Sequence, residues 1–299
     1  MAQPDAQKST TGRIIAPLPI RSAMAALGVV APPLAARLAR TLYFRPNRLS
    51  ARQAERDVLT RGTRFVVEDD GVQVVGRSWG RGPVIVLVHG WSGHLGQLTP
   101  FVDPLVERGF QVVGFDWPGH GDSHGDVSSL LHAARVLKAM QELFGPFHAV
   151  IAHSFGAAAT VYATSTGLQV GRLALHAPVA RLDRYIDAYS SALGLSAQRR
   201  ADFISSCEAW LEQPFSSFEP LEAARKVKVP TLVLHSADDR EVAIEDGAQL
   251  ATALEGTLLT KEGLGHRKLL RDPSCVAETV VFLSEGTAQA PRPESAPAT

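Results

Sequence analysis

The chain has 299 residues, 30 Lys+Arg balanced by 30 Asp+Glu, and is 45% hydrophobic and 7% aromatic. A chain of this length forms one large domain or two small ones and buries about 75% of its unfolded surface. This balance excludes collagen, coiled coil, bulk disorder and a polytopic membrane protein. A zero formal charge spread along the sequence argues against a nucleic-acid partner, which needs a basic face to displace phosphate counterions. Cys207 and Cys275 cannot form a disulfide scaffold and suit a reducing compartment.

Met1 to Arg13 is polar, without apolar periodicity, and reads as a mobile leader. Ile14 to Phe44 is apolar but broken by Pro32, Pro33, Arg37 and Arg40, which argues against a membrane-spanning helix. Lys8, Arg13 and Arg21 before Ala23 to Ala31 have the outline of a secretory signal, yet no small-x-small cleavage site precedes the charged run. The reading is therefore cytoplasmic, with secretion and peripheral membrane association left open. A helix from Leu34 onward places Leu34, Leu38 and Leu42 on the body of the protein. Arg37, Arg40, Arg45 and Arg48 then face water or an anionic surface, so membrane-surface contact through this segment is an open expectation.

From Arg64 the pattern changes. Arg64 to Glu68 and Val72 to Trp79 read as strands around the hairpin turn Asp69-Asp70-Gly71. Pro83 to His89 is a continuous apolar run, as in a strand buried on both faces of a parallel sheet. Leu98 to Arg108 is helical, Gln111 to Phe115 a strand, Val127 to Phe144 an amphipathic helix and His148 to Ala152 a strand. Then follow the helix Phe155 to Thr164 and the strand Arg172 to His176. Thr231 to His235, Ile244 to Leu254, Gly256 to Thr260 and Ser274 to Leu283 continue as strand, helix, strand, helix. The alternation predicts an α/β fold with a mostly parallel central sheet flanked by helices.

Residues 180–228 break it: Leu182, Tyr185, Ile186, Tyr189 and Leu193 sit at helical spacing, as do Phe203, Ile204, Cys207, Trp210 and Leu211 after the capping Ser196. A helical insertion just past a strand's carboxyl end reads as a small cap over a cleft. Its Tyr185, Tyr189, Phe203 and Trp210 favour an apolar substrate where they do not simply pack the cap onto the core. The domain reading is a leader and helical segment at 1–60, an α/β domain at 61–285 carrying the cap, and a disordered Ala/Pro/Ser-rich tail at 286–299.

The stretch Val150 to Ala159, VIAHSFGAAA, runs from a buried strand directly into a helix with Ser154 at the reversal. Such a turn projects the hydroxyl above the sheet and sets it at a helix amino end, where free N–H groups favour developing negative charge. The residues two before and two after must be small, and they are Ala152 and Gly156. Serine needs a base, and the base a carboxylate to hold its tautomer. Of ten histidines, His266 lies in a glycine-flanked loop, Glu262-Gly-Leu-Gly-His266, between the last strand and the last helix. Asp238 and Asp239 directly follow the strand Thr231 to His235.

On these residues the chain resembles the α/β-hydrolase superfamily from about Val72 to Leu283, with the order Ser, acid, His. The resemblance implies Ser154 as nucleophile and His266 as base. It implies Asp239 as acid, because His-Gly-x-x-Asp-x-x-Val aligns with His235 to Val242. Ser236 in place of the usual Gly keeps Asp238 as an alternative, with Asp183 behind it. His89-Gly90-Trp91 resembles the oxyanion loop, so the backbone N–H groups of Trp91 and Phe155 are the candidate oxyanion donors; the alternative for Trp91 is packing after a turn. Phe115 to Ser123 resembles the family's loop that shapes the cleft floor, a reading preferred to a metal site at His120, Asp122 and His124. His153 is expected to pack or tune the pocket, and His94 and His132 to lie on the surface.

The expected function is a serine esterase, lipase-like, acting on a small apolar ester through an acyl-enzyme, with no cofactor and no metal. The alternatives are a binding or regulatory protein on the same scaffold, or an acyltransferase with the same residues. Oligomeric state stays open.

Overall fold

The computed structural model describes residues 16–285. The polar leader, up to residue 15, and the tail from 286 lie outside the described residues. The chain opens with helices α1 (Leu18–Val30), α2 (Pro32–Tyr43) and α3 (Gln53–Arg61), followed by strands β1 (Thr63–Asp69), β2 (Val72–Trp79) and β3 (Val84–Val88). A short helix α4 (Val102–Val106) leads to β4 (Gln111–Phe115), then α5 (Leu130–Phe144), β5 (Phe147–His153), α6 (Phe155–Ser165) and β6 (Val170–His176). Three helices follow, α7 (Asp183–Leu193), α8 (Ala197–Leu211) and α9 (Pro220–Ala224). The end alternates as β7 (Thr231–Ser236), α10 (Ile244–Ala253), β8 (Thr257–Lys261), α11 (Gly265–Lys268) and α12 (Pro273–Ser284).

The strands form one eight-stranded sheet in the order β1-β2-β4-β3-β5-β6-β7-β8. β2 runs antiparallel to β1 and β4, and β3 to β8 are parallel. The Asp70-Gly71 turn has positive φ at both residues, the backbone a tight hairpin of right-twisted strands requires. β3, Val-Ile-Val-Leu-Val, is buried along its whole length because helices cover both faces of the sheet. One face carries Val86, Val150, Leu137 and Ala158, the other Ile85, Ile151, Phe101 and Val280.

Two predicted helices begin differently. The 98–108 segment is a 3-10 turn, Leu95–Phe101, followed by α4, because Pro100 has no N–H for an α-helical ladder. α5 starts at Leu130, where the Ser129 side chain accepts the His132 N–H.

The three Leu of α2 are the main departure. Leu34, Leu38 and Leu42 point outward, 55%, 40% and 42% exposed, and the face turned to the protein carries Ala35, Ala36 and Ala39. Small residues let α2 approach α8 closely, and Met24, Ala39, Phe44, Ile186, Phe203 and Cys207 share one cluster. Tyr43 packs edge-on against Tyr189 and Phe203, Phe44 lies against Trp210, and the Tyr189 hydroxyl donates to Ala39 O at 2.8 Å. Tyr189, Phe203 and Trp210 therefore hold the insertion to α2 instead of facing a substrate. Arg48, though exposed, donates to the carbonyls of His120, Gly121, Ser123 and Gly125, and half-buried Arg40 donates to Ser206 O at 3.4 Å. Cys207 and Cys275 are free and buried. Among the described residues no helix is long and apolar enough to cross a membrane.

Candidate active site

β5 delivers Ser154 to the sheet's carboxyl edge with φ 55° and ψ −123°, a left-handed backbone that a residue with a Cβ adopts only under strain. The turn is held by Ser154 N–H to His176 O at 2.9 Å and by Ala157 N–H to Ser154 O at 3.0 Å. Gly156 is small for a reason the pentapeptide does not disclose. A Cβ there would stand 2.4 Å from His89 O and 2.7 Å from Val88 O, so the crowding comes from the end of β3 and not from Ala152. Gly90 answers from the other side, where a Cβ would stand 2.9 Å from Ser154 Cβ. The β3 loop and the serine turn are thus pressed together through two glycines.

That contact brings Trp91 beside Phe155, the first residue of α6, with ring centroids 6.4 Å apart. Among the described residues neither backbone N–H is taken by a protein acceptor. The following residue is fixed: Ser92, at φ 52°, donates its N–H to His120 Nε2 at 3.0 Å, while its hydroxyl accepts the Asn47 N–H. His120 Nδ1 donates to Pro118 O at 3.0 Å, so both its nitrogens are in use and burial pushes its pKa down to about 3. Among the described residues no three His, Cys, Asp or Glu are grouped to hold a metal ion. Asp116 ties the same loops, accepting the N–H groups of Leu95 and Asp122. His94, expected on the surface, is buried beside Glu55 at 3.8 Å, and His132 is half-buried against Ser129 and Trp210.

His266 sits between left-handed Gly265 and the rest of α11, its Nδ1 2.7 Å from Asp239 Oδ2. The Asp239 side chain is fully buried at the end of β7, and its Oδ1 accepts the N–H groups of Glu241 and Val242 at 2.8 and 3.0 Å. Burial alone would raise this carboxyl. The hydrogen bonds from His235 and His266 outweigh it and hold the group well below the usual carboxylate range. An ionised Asp239 fixes the proton on His266 Nδ1 and leaves Nε2 for another partner.

Asp238 has a different task. Its Oδ1 accepts the Ser236 hydroxyl at 2.5 Å and the Gly265 N–H at 3.3 Å, and Ser236 Oγ accepts the N–H groups of Leu264 and Gly265. Ser236, the departure from the family's Gly, stitches the β7 loop to the His266 loop. Asp183 pairs with Arg181 at the start of the insertion. Among the described residues, the geometry brings Asp239 alone of the three aspartates to the imidazole.

His153, immediately before Ser154, donates from Nε2 to His266 O at 2.9 Å, and the two rings lie 4.6 Å apart. Burial pushes its pKa well below the ordinary histidine value, so it stays neutral. It joins the serine turn to the His266 loop, a role sequence reasoning missed because it depends on a backbone carbonyl 113 positions away. Among the described residues no hydrogen bond joins Ser154 Oγ to His266 Nε2. Such bonds are often long before substrate arrives and tighten in the reacting complex. From the insertion, Tyr185 reaches this edge, its ring 4.7 Å from that of Phe155. α7 is anchored there by Arg184, ion-paired to the buried Asp246, whose other oxygen accepts the Ala180 N–H.

The sequence matches the alpha/beta hydrolase family over residues 85–278, and the chain belongs to that family. It is 34% identical over 110 residues to a pimeloyl-[acyl-carrier protein] methyl ester esterase of Xanthomonas campestris pv. campestris, a match covering 36% of this chain and 42% of that enzyme. It is 26% identical over 262 residues to a non-heme chloroperoxidase of Burkholderia pyrrocinia, covering 69% of this chain and 93% of that one. Its fold is similar to that of an esterase from Pyrococcus furiosus, with a TM-score of 0.61 at 18% identity, covering 80% of this chain and 98% of the other.

Proposed function

We propose that the protein is a serine hydrolase of carboxylic esters, with Ser154 as nucleophile, His266 as base and Asp239 as the acid that orients it. Ser154 Oγ attacks the ester carbonyl as its proton passes to His266 Nε2, and Asp239 stabilises the resulting imidazolium. The N–H groups of Trp91 and Phe155 receive the oxyanion, each such donor contributing about 3 kcal/mol to the transition state. Collapse expels the alcohol, protonated by His266, and leaves an acyl-serine. His266 then takes a proton from water as it attacks the acyl carbon, and returns that proton to Ser154 Oγ as the acyl–Oγ bond breaks and the carboxylic acid leaves.

The observation that carries this reading is the His153–His266 hydrogen bond. It ties the backbone of His266, whose imidazole pairs with Asp239, to the residue preceding the strained serine, which supports the three groups acting together at one sheet edge. The ester chemistry named for the Xanthomonas relative agrees with it. The insertion acts as the cap, and the half-buried rings of Trp91, Phe155 and Tyr185 favour an apolar acyl group.

Ser154→Ala is expected to keep its fold and to lose p-nitrophenyl ester turnover by up to roughly a million-fold. The parent should be labelled at Ser154 by a fluorophosphonate. Parental turnover in the alanine variant, or an unlabelled Ser154, would overturn the assignment and leave a non-catalytic scaffold.

A further inference from the structure

The outward face of α2 is not explained by ester chemistry. Leu34, Arg37, Leu38, Thr41 and Leu42 follow the spacing of one helical face, all five are exposed, and Arg45, just past the helix end, is exposed as well. α1, which packs on α2, also exposes Leu18, Ile20, Val29 and Val30, of which Val30 is 84% exposed. Isolated exposed leucines are ordinary, but apolar side chains repeated along two successive helices form a patch, and patches of this kind mark contact surfaces.

Charge selects the partner. Residues 16–54 contain six arginines and neither aspartate nor glutamate, in a chain whose formal charge is zero. Arg40 and Arg48 are engaged by backbone carbonyls, whereas Arg37 is exposed on the leucine face and Arg45 is exposed just past its end. A row of leucines between arginines is the composition of a helix lying in a membrane interface, with apolar side chains among the acyl chains and guanidinium groups at the lipid phosphates. A second copy of the chain fits less well. A two-fold interface lays the same patch on itself and would oppose arginine to arginine, and this face lacks the aromatic anchors of protein interfaces.

We infer that the α1–α2 surface docks the protein on an anionic phospholipid bilayer, with α2 lying along the interface. This inference does not depend on the role assigned to Ser154.

The test is co-sedimentation of the full chain with vesicles of phosphatidylcholine alone and of equal parts phosphatidylcholine and phosphatidylglycerol. Binding is expected to the mixed vesicles and to weaken steeply as salt is raised. Two variants separate the contributions: Leu34→Ser with Leu38→Ser and Leu42→Ser, and Arg37→Glu with Arg45→Glu. Each should lower binding by about tenfold or more while leaving circular dichroism, thermal unfolding and turnover of a soluble ester unchanged. Binding that is absent, equal for both vesicle types, or equal in parent and folded variants overturns the inference. So does a dimer in light scattering that the leucine variant dissociates, because the face would then be covered by a second copy.

Discussion

Around Ser154 every approach is short and specified from both sides: Gly156 lies under the carbonyls of β3, Gly90 against the serine Cβ, and the loops carrying Asp239 and His266 share the Ser236 hydroxyl. Along α2 the contacts are one-sided, with three alanines against the insertion and three leucines in solvent. Both regions are rich in small and apolar residues. In the first, small size serves backbone proximity at a strained turn; in the second it allows helices to approach and sends the large side chains outward. The lesson is that apolar spacing identifies a face without saying which side of the helix is covered.

The comparison can be broken most sharply at the site. On the proposed roles, Asp239→Asn should retain the fold but lower kcat by about ten-thousand-fold, because the amide no longer holds the required His266 tautomer. A loss below tenfold in steady-state turnover would remove Asp239 from the mechanism. Next in size is a paired measurement of stability. Gly156→Ala forces a methyl group into the β3 carbonyls and should cost about 3 kcal/mol in denaturant unfolding, whereas Leu38→Ser should stay within about 0.5 kcal/mol. Equal values for the two would erase the distinction between the regions.

The third test is pH, whose effect grows with the distance below pH 6.5. His89, His120 and His176 are buried, and burial pushes each down to about 3 from an ordinary 6.5. Below about pH 6.5 the unfolded chain binds these protons and the folded chain does not. Stability should therefore fall as pH drops, by up to about 1.4 kcal/mol per unit for each histidine, with no contribution from them above 6.5. The lowered Asp239 carboxyl acts in the same sense only once the pH falls below the ordinary carboxylate range. Thermal melts from pH 8 to pH 4 check this, and a flat Tm would contradict it.

Most strands and helices were legible because each has a single dominant signal: unbroken β-branched runs for β3 and β7, amphipathic spacing for α5, an Asp-Gly turn between β1 and β2. Ser154, Asp239 and His266 could be proposed from sequence because Ser154 follows a strand directly, Asp239 lies just past one, and His266 sits in the glycine-flanked loop after the last strand. The connections were not. The His153 link to His266 O, the Ser236 bridge and the four carbonyls around Arg48 join positions far apart in the chain through backbone atoms, which carry no side-chain identity to read. The direction of Leu34, Leu38 and Leu42 was misread because covering depends on α8, whose place against α2 no local pattern encodes.

The Arg48 guanidinium has a mechanical consequence. By gathering the carbonyls of residues 120, 121, 123 and 125, it fastens the segment after α2 to the loop in which His120 receives the Ser92 N–H. The helical segment and the Trp91 turn are therefore coupled through this buckle and through the Asn47 N–H bond to the Ser92 hydroxyl. A pull on the first is transmitted to the second without passing through the sheet.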